Sequence, residues 1–504
     1  MSALGGRPWI LIVAGLYLAA TLAIGFWALR RTRSAADFFV AGRGVGVVAA
    51  GLATMSAAFS GFVFFGGPGL TYRLGLAALM INVPVSFTGA LLAWVIGKRL
   101  RLLAEVREVF TVPDAFRVRF GSRAASGLAA TAVLVGSVGY LAAQILALGV
   151  LGENLFGTRE LLGAWSLPVV MAIGTVVVTS YCVAGGMVAG VYTDVFQGAV
   201  MVGAATAVFV QCLRVGGGLG EMTRAIAASP RFGAGFLDPL GGAGAAAAFG
   251  FFFVFGIGVL GQPHMVHKFL MLRDPERLRY LPLVLGVAQS LCLLIWLGIG
   301  LAVPALVARG AMPPLGQPDD AAPAFLLGFA PQWLAGVVFA GALAAIMSTA
   351  SSLLNLGAAA LVRDVPRACG RRIGDELGAG RLATVGLAIV AAAVAWGYGD
   401  LIALLGTFAF GTFAAALGPA LAIGLNWRRV TGRAAAASVA VGLFANLGLE
   451  LLQRWRPAAL PALRPGVPAS AVALAASFVT LFVVTALDRR AVELPADVAA
   501  VLEV

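Results

Sequence analysis

Residues 51–69 read GLATMSAAFSGFVFFGGPG, from Gly51 to Gly69, and a second run, residues 255–264, reads FGIGVLGQPH, from Phe255 to His264. Both lie in apolar stretches long enough to cross a bilayer, and both carry the glycines and proline that interrupt a helix. A helix in lipid must satisfy its own backbone groups, so irregular backbone is tolerated only inside protein or around a cavity. The runs fall in the second and seventh apolar stretches, five apart. Two five-helix units of opposite insertion, each opening with a broken helix, are a common design of secondary transporters. Glycine also serves close helix packing. Glycine content alone does not choose between the two, and no internal identity between the halves is strong enough to settle it.

The rest of the chain sets these runs in a membrane. Of 504 residues, 61% are hydrophobic and 11% charged, against about 25% charged in soluble domains. Mean hydropathy is +0.97. This excludes a soluble or a disordered chain, and the apolar runs are continuous rather than alternating, which excludes an outer-membrane barrel. Windows of about 19 residues predict thirteen spans, near 9–29, 45–66, 74–97, 125–152, 167–183, 191–213, 245–266, 281–306, 333–362, 382–398, 401–425, 434–452 and 467–487. The first is followed at once by Arg30, Arg31 and Arg33 and reads as an uncleaved helix, not a signal peptide.

The net charge of +13 fits basic loops facing anionic lipid rather than nucleic acid. With the N-terminus outside, 25 of the 35 basic residues, Lys268 among them, fall in inside segments. That follows the positive-inside rule and supports an odd number of spans, with the C-terminus inside. No soluble domain is expected at either end. Cys182, Cys212, Cys292 and Cys369 show no CxxC pairing and imply neither a disulfide framework nor a metal site.

Polar residues inside the spans are the candidate functional groups. The ninth span carries Ser348, Thr349, Ser351 and Ser352, four hydroxyls within about one helical turn. Sodium is a hard cation that takes several oxygens, and hydroxyls with the freed carbonyls of a broken helix supply them. The alternative is that these hydroxyls bond back to carbonyls one turn earlier and pack as small residues. Asp194 opens the sixth span, either as a functional acid or as a solvated helix start. Tyr140 and Gln144 share one face of the fourth span. His264 and His267 have metal-pair spacing but no carboxylate or thiol nearby in sequence, so no metal other than sodium is expected. Asn82, Gln289, Asn355 and Asn446 read as interhelical hydrogen-bonding groups.

At these residues the chain resembles the sodium:solute symporter family, whose members carry proline, glucose, sialic acid, acetate or pantothenate. The resemblance runs over nearly the whole chain. It rests on Asp37-Phe38-Phe39-Val40-Ala41-Gly42-Arg43, on Ser60-Gly61 with Gly66-Gly67-Pro68-Gly69, and on Gly185-Gly186-Met187 leading to Thr193, Asp194 and Gln197. Gly261-Gln262-Pro263-His264 and Met347-Ser348-Thr349 with Ser351 complete it. It implies an all-α polytopic membrane protein with a LeuT-type 5+5 inverted repeat and about thirteen transmembrane helices. Residues 1–44 would hold the first helix and a loop, 45–427 the ten-helix core, and 428–504 two further helices and a tail.

The resemblance also implies a site. The main sodium would take the carbonyls of Ser56, Phe59 and Ala345 and the hydroxyls of Ser348 and Thr349. A second sodium, present in some members, would take Asp194, Ser348, Ser351 and Ser352. The solute would lie against Phe62, Tyr140 and Phe255, with Gln144 one turn from Tyr140. Proline-type members carry an aspartate where this chain has Ala58, and tryptophans where it has Phe62 and Phe255, while Tyr140 with Gln144 looks more like acetate-type members. The implied function is sodium-coupled import of a small organic solute, a monocarboxylate or amino acid, across the inner membrane. The partners would be that solute and the bilayer, with no nucleic acid, and the sequence does not give the oligomeric state. Two other readings stay open: a transporter-like sensor working with a separate signalling partner, and a proton-coupled relative. No HExxH, GxSxG or paired intramembrane carboxylate supports an intramembrane enzyme.

Overall fold

The computed structural model describes residues 8–32, 34–241, 244–398, 402–455, 467–488 and 492–503. Arg33, Arg489, Arg490 and Leu401, used in the span and charge readings, lie outside them. Among the described residues the protein is all-helical. The principal helices are α1 (Pro8–Leu29), α2 (Val47–Ala58), α3 (Gly67–Leu74), α4 (Arg123–Phe156), α5 (Ser166–Gly216), α6 (Ala245–Ile257) and α7 (Pro263–Leu270). They continue with α8 (Leu281–Ala308), α9 (Gln332–Ala359), α10 (Glu376–Tyr398), α11 (Ile402–Gly424), α12 (Gly432–Trp455), α13 (Ala469–Leu487) and α14 (Ala496–Glu503).

Both glycine-rich runs are real interruptions. Phe59, at the end of α2, is extended (φ −93°, ψ 117°), and the chain resumes as a wide turn over Phe62–Gly66 before α3. Between α6 and α7, Gly258–Gly261 tightens into a 3₁₀ turn, Gln262 is extended (φ −79°, ψ 101°), and Pro263 restarts the helix. Proline suits that first position, because its missing N–H would have had no helical partner. The same glycines also allow close packing, so both readings of them hold. A Cβ on Gly261 would lie 2.5 Å from the Phe413 carbonyl oxygen and 2.8 Å from the Gly418 nitrogen. These are backbone atoms of α11 and cannot rotate away. Gly261→Ala is therefore expected to force the α6–α7 break off α11 and abolish transport, read as lost uptake by a variant that still reaches the membrane; near-normal uptake would show that this approach is dispensable.

A third interruption falls in the gap expected between the fifth and sixth spans. α5 runs 51 residues but turns at Gly186 (φ 51°, ψ −138°), where a Cβ would meet the Phe38 ring at 2.4 Å. The turn divides it into the expected fifth and sixth spans and puts Asp194 just beyond.

Twelve helical stretches among the described residues are long and apolar enough to cross a membrane. One, Phe62–Val106, has 45 residues, roughly twice what a bilayer needs, and it reverses at Gly75 (φ 71°). Its first part completes the pass begun by α2, which alone is too short. Counted so, the passes number thirteen. Seven of the nine tryptophans (Trp9, Trp27, Trp94, Trp165, Trp333, Trp396 and Trp455) are exposed. Each stands near an end of its apolar stretch, as interfacial anchors do.

α9 is the most enclosed of these stretches and packs against α5, α4 and α1. α2 lies against α5 and α8. At one end a parallel bridge joins the segment before α2 to the segment after α7: Val45 N–H donates to the Met271 carbonyl (3.1 Å), and Arg273 N–H to the Val45 carbonyl (2.8 Å). Arg101 Nε donates to the Leu272 carbonyl at 2.6 Å beside it.

A charged hub lies where α9 runs on past Ala359. Arg363, 1% exposed, donates to Asp114 (3.1 Å), Glu376 (2.7 Å) and Glu108 (2.9 Å), and its guanidinium lies over the Phe110 ring. Arg367 shares Glu376 at 3.0 Å, and the Thr111 hydroxyl donates to Asp364 at 2.7 Å. The Arg363 guanidinium holds the Glu108 carboxyl below its usual range.

Candidate functional site

The break after α2 frees carbonyl oxygens that no helical N–H takes, and α9 passes directly beside it. The Thr349 hydroxyl lies 3.2 Å from the Ala57 carbonyl, 3.3 Å from the Phe59 carbonyl and 3.0 Å from the Ala345 carbonyl of its own helix. One hydroxyl has one proton and donates one good bond at a time. The two freed α2 carbonyls and the Thr349 oxygen thus have one hydroxyl hydrogen between them, beside the Ala345 carbonyl, in a fully buried place. Such an oxygen excess suits a small hard cation without a fixed charge. The expected ligand set is largely brought together: Phe59, Ala345 and Thr349 meet here, and Ser348 is adjacent. Ala57 contributes a carbonyl that was not expected. Ser56 stands one residue earlier, its hydroxyl against the Met201 sulfur at 3.5 Å.

Ser348 faces the other way. Its hydroxyl donates to Asp194 Oδ1 at 2.5 Å, and Lys268 Nζ donates to Asp194 Oδ2 at 2.6 Å. Asp194 is 0% and Lys268 1% exposed at the side chain. Asp194 is therefore no solvated helix start, and Lys268 is no loop residue: its inclusion among the inside-loop charges is corrected. The sequence signal for it was weak, a lone lysine at the end of an apolar span. The Ser351 hydroxyl donates to the Ser348 carbonyl at 2.9 Å, the back-bonding weighed as the alternative for these hydroxyls. The Ser352 hydroxyl is buried without a partner among the described residues.

Beside the α2 break lies a small cavity of about 30 Å³, lined in part by Ala58, Ser60, Phe62, Tyr140, Phe255 and Phe410. The Phe62 and Phe255 rings, one from each broken helix, face each other in parallel at 6.1 Å. Phe410 stacks on Phe255 at 4.4 Å, and Trp296 meets Phe62 edge-on at 5.4 Å. The expected solute wall of Phe62, Tyr140 and Phe255 is thus assembled in one place, while Gln144 is not part of it. Its Oε1 accepts from the Gly61 N–H at 3.4 Å, holding the broken backbone instead. Gln262 does the same at the other break, donating to the Gly258 carbonyl (3.2 Å) and to the Phe410 carbonyl on α11 (3.0 Å). Trp296 and Phe410 went unnoticed in sequence, because apolar residues on apolar spans carry no signal of what they face. His264 and His267 serve different neighbours: His264 meets the Tyr140 ring edge-on, and His267 Nε2 lies 2.7 Å from the Phe110 carbonyl.

Two interrupted helices crossed by a hydroxyl-bearing third, with a cavity at the breaks, define a secondary transporter of the inverted-repeat class. The sodium:solute symporter family profile matches residues 38–442. The chain belongs to that family, in which sodium is the coupling ion. It is 28% identical over 442 residues to the osmoregulated proline transporter OpuE of Bacillus subtilis, covering 86% of this chain and 87% of the relative. To the high-affinity proline transporter PutP of the same organism it is 28% identical over 452 residues, covering 85% and 90%. To the sodium/proline symporter of Escherichia coli it is 27% identical over 447 residues, covering 86% of each. Among solved structures, a sodium-coupled sialic acid symporter in a substrate-bound outward-open state superposes with a TM-score of 0.73 at 19% identity, covering 97% of this chain and 99% of the other. A nucleobase-cation-symport-1 family transporter in a closed conformation gives 0.54 at 18% identity, covering 94% and 99%. These likenesses establish the fold.

Proposed function

We propose that this protein imports proline, or an amino acid of similar compactness, together with sodium across a bacterial cytoplasmic membrane, with its N-terminus outside and its C-terminus inside. The observation that carries the coupling is the Thr349 hydroxyl ringed by the Ala57, Phe59 and Ala345 carbonyls. Sodium held there ties α9 to the α2 break. Phe59 and Ser60 of that same break line the solute cavity, so the two ligands order one segment and each strengthens the binding of the other. The proline relatives support the choice of solute over the wider class of monocarboxylates. No lysine or arginine lines the cavity among the described residues. A zwitterion would then rest on freed backbone groups, the Tyr140 and Ser60 hydroxyls and the aromatic faces.

The cavity of about 30 Å³ is too small for an amino acid, so loading requires lining side chains, such as the stacked Phe255 and Phe410, to move. The family's alternating access would then run as sodium binding, opening of the ring stack to solute, closure, and release on the other side. A monocarboxylate is the second reading, favoured by Ala58 in the cavity wall where proline-type members carry an acid. Proteoliposomes holding the purified protein decide between them. The expected result is accumulation of labelled proline driven by an inward sodium gradient, competed by unlabelled proline and unaffected by glucose. Competition by acetate or pyruvate with none by proline would favour the second reading. Uptake driven by a pH gradient without sodium would mark a proton-coupled protein, and no uptake of any solute would favour a sensor.

A further inference from the structure

The place matching a second sodium already holds a positive charge of the protein's own. Asp194 presents two carboxylate oxygens. One is taken by the Ser348 hydroxyl and the other by Lys268 Nζ at 2.6 Å. All three side chains are buried. We propose that the Lys268 ammonium stands in for the second cation, so that this transporter moves one sodium per solute.

The electrostatics favour this assignment. A buried carboxylate needs a compensating cation, and a lysine ammonium is a compact point charge that supplies one. With Lys268 present the pair is neutral. A sodium added to the same carboxylate would sit next to the ammonium, and like charges at contact in a low-dielectric interior repel strongly. The three groups come from separate elements: Asp194 from α5 beyond its Gly186 turn, Ser348 from α9, and Lys268 from α7 after the second break. A free ion would have to be drawn from solution in each cycle, whereas the ammonium is tethered to a broken helix and stays with it. The Ser351 and Ser352 hydroxyls remain in the same helical turn of α9, and Ser352 has no partner among the described residues. With Lys268 removed, Asp194, Ser348, Ser351 and Ser352 would be an oxygen set for sodium.

This rests on the sodium-coupled reading above, and the experiment separates the two. Proteoliposomes at zero voltage are given a tenfold inward sodium gradient, and the final proline ratio is measured. Sodium-driven accumulation of any size upholds the reading above; its absence overturns that reading and this inference together. One sodium per solute holds a proline gradient of about tenfold and two hold about a hundredfold. A wild-type ratio near tenfold, with a sodium dependence of Hill slope one, is expected. A ratio near a hundredfold overturns the inference and leaves sodium coupling standing. In Lys268→Ala the sodium slope is expected to rise toward two, and the thermal midpoint of the detergent-solubilised variant to rise with sodium more steeply than that of the wild type. A folded variant whose slope stays at one and whose midpoint shows no added sodium response overturns it. If the variant does not fold, the wild-type ratio alone decides.

Discussion

Thr349→Ala should raise the sodium concentration for half-maximal uptake by about ten- to a hundredfold. The substitution removes the one hydroxyl that faces the Ala57, Phe59 and Ala345 carbonyls together. A hydrogen-bonding or ligating contact to a charged group is worth about 1.5–3 kcal/mol, which converts to that range. Thr349→Ser restores the oxygen and should restore most of the affinity, separating the hydroxyl's role from that of the methyl group. Sodium-dependence curves of initial uptake in membrane vesicles measure both. An unchanged half-saturation in Thr349→Ala would place the sodium elsewhere. If sodium and solute order the same α2 break as proposed, the apparent affinity for proline should fall in parallel at limiting sodium and recover at saturating sodium.

The second large effect is expected at the charged hub. Arg363→Leu strips a shared partner from Asp114, Glu376 and Glu108. Asp114 is 3% exposed at the side chain, Glu376 15% and Glu108 62%, so most of the loss falls on the first two. Asp114 keeps Arg117 at 3.1 Å and Glu376 keeps Arg367 at 3.0 Å, so the cost is part of the about 3–5 kcal/mol of a fully uncompensated buried charge, and a lowered thermal midpoint in detergent should report it. Arg363→Lys should recover only part, because a point ammonium cannot replace a planar fork that reaches three carboxylates at once. There is also a pH signature. Arg363 depresses the Glu108 carboxyl, so this contact stabilises the fold above the ordinary carboxylate pKa of about 4.3 and its contribution is lost as pH falls through the lowered folded value. Arg363→Leu should flatten that acid limb. A variant as stable as the wild type at neutral pH would show that the hub adds nothing to stability.

How far the sequence could be read follows the range of the interactions. Glycine and proline act on their own backbone, so the sequence marked Phe59–Gly61 and Gly258–Gln262 as places for a break, although glycine alone did not choose between a break and close packing. Hydroxyl clustering is also local, and Ser348 and Thr349 stood out for that reason. What escaped was set by packing between distant residues. Lys268 and Asp194 lie 74 positions apart, and at the end of an apolar run a lysine buried against an acid looks like one at the start of a loop. Gln144 shares a helix face with Tyr140, yet that face divides between the cavity and the Gly61 backbone. The division at Gly186 was legible as the gap between the fifth and sixth spans, but not that helix continues directly on both sides of it. The thirteen passes were legible from apolarity, although the second does not exist as one continuous helix.

The short pairing of Val45 with Met271 and Arg273, braced by Arg101, bears on how the halves of the bundle divide the work. It staples the entry to the first interrupted helix onto the exit from the second. Two levers fastened at one end cannot swing independently. Any tilt of one interrupted helix in the transport cycle would then carry the other with it, Lys268 of α7 included. Two backbone hydrogen bonds and one arginine side chain thus tie the ends of the two interrupted helices to each other.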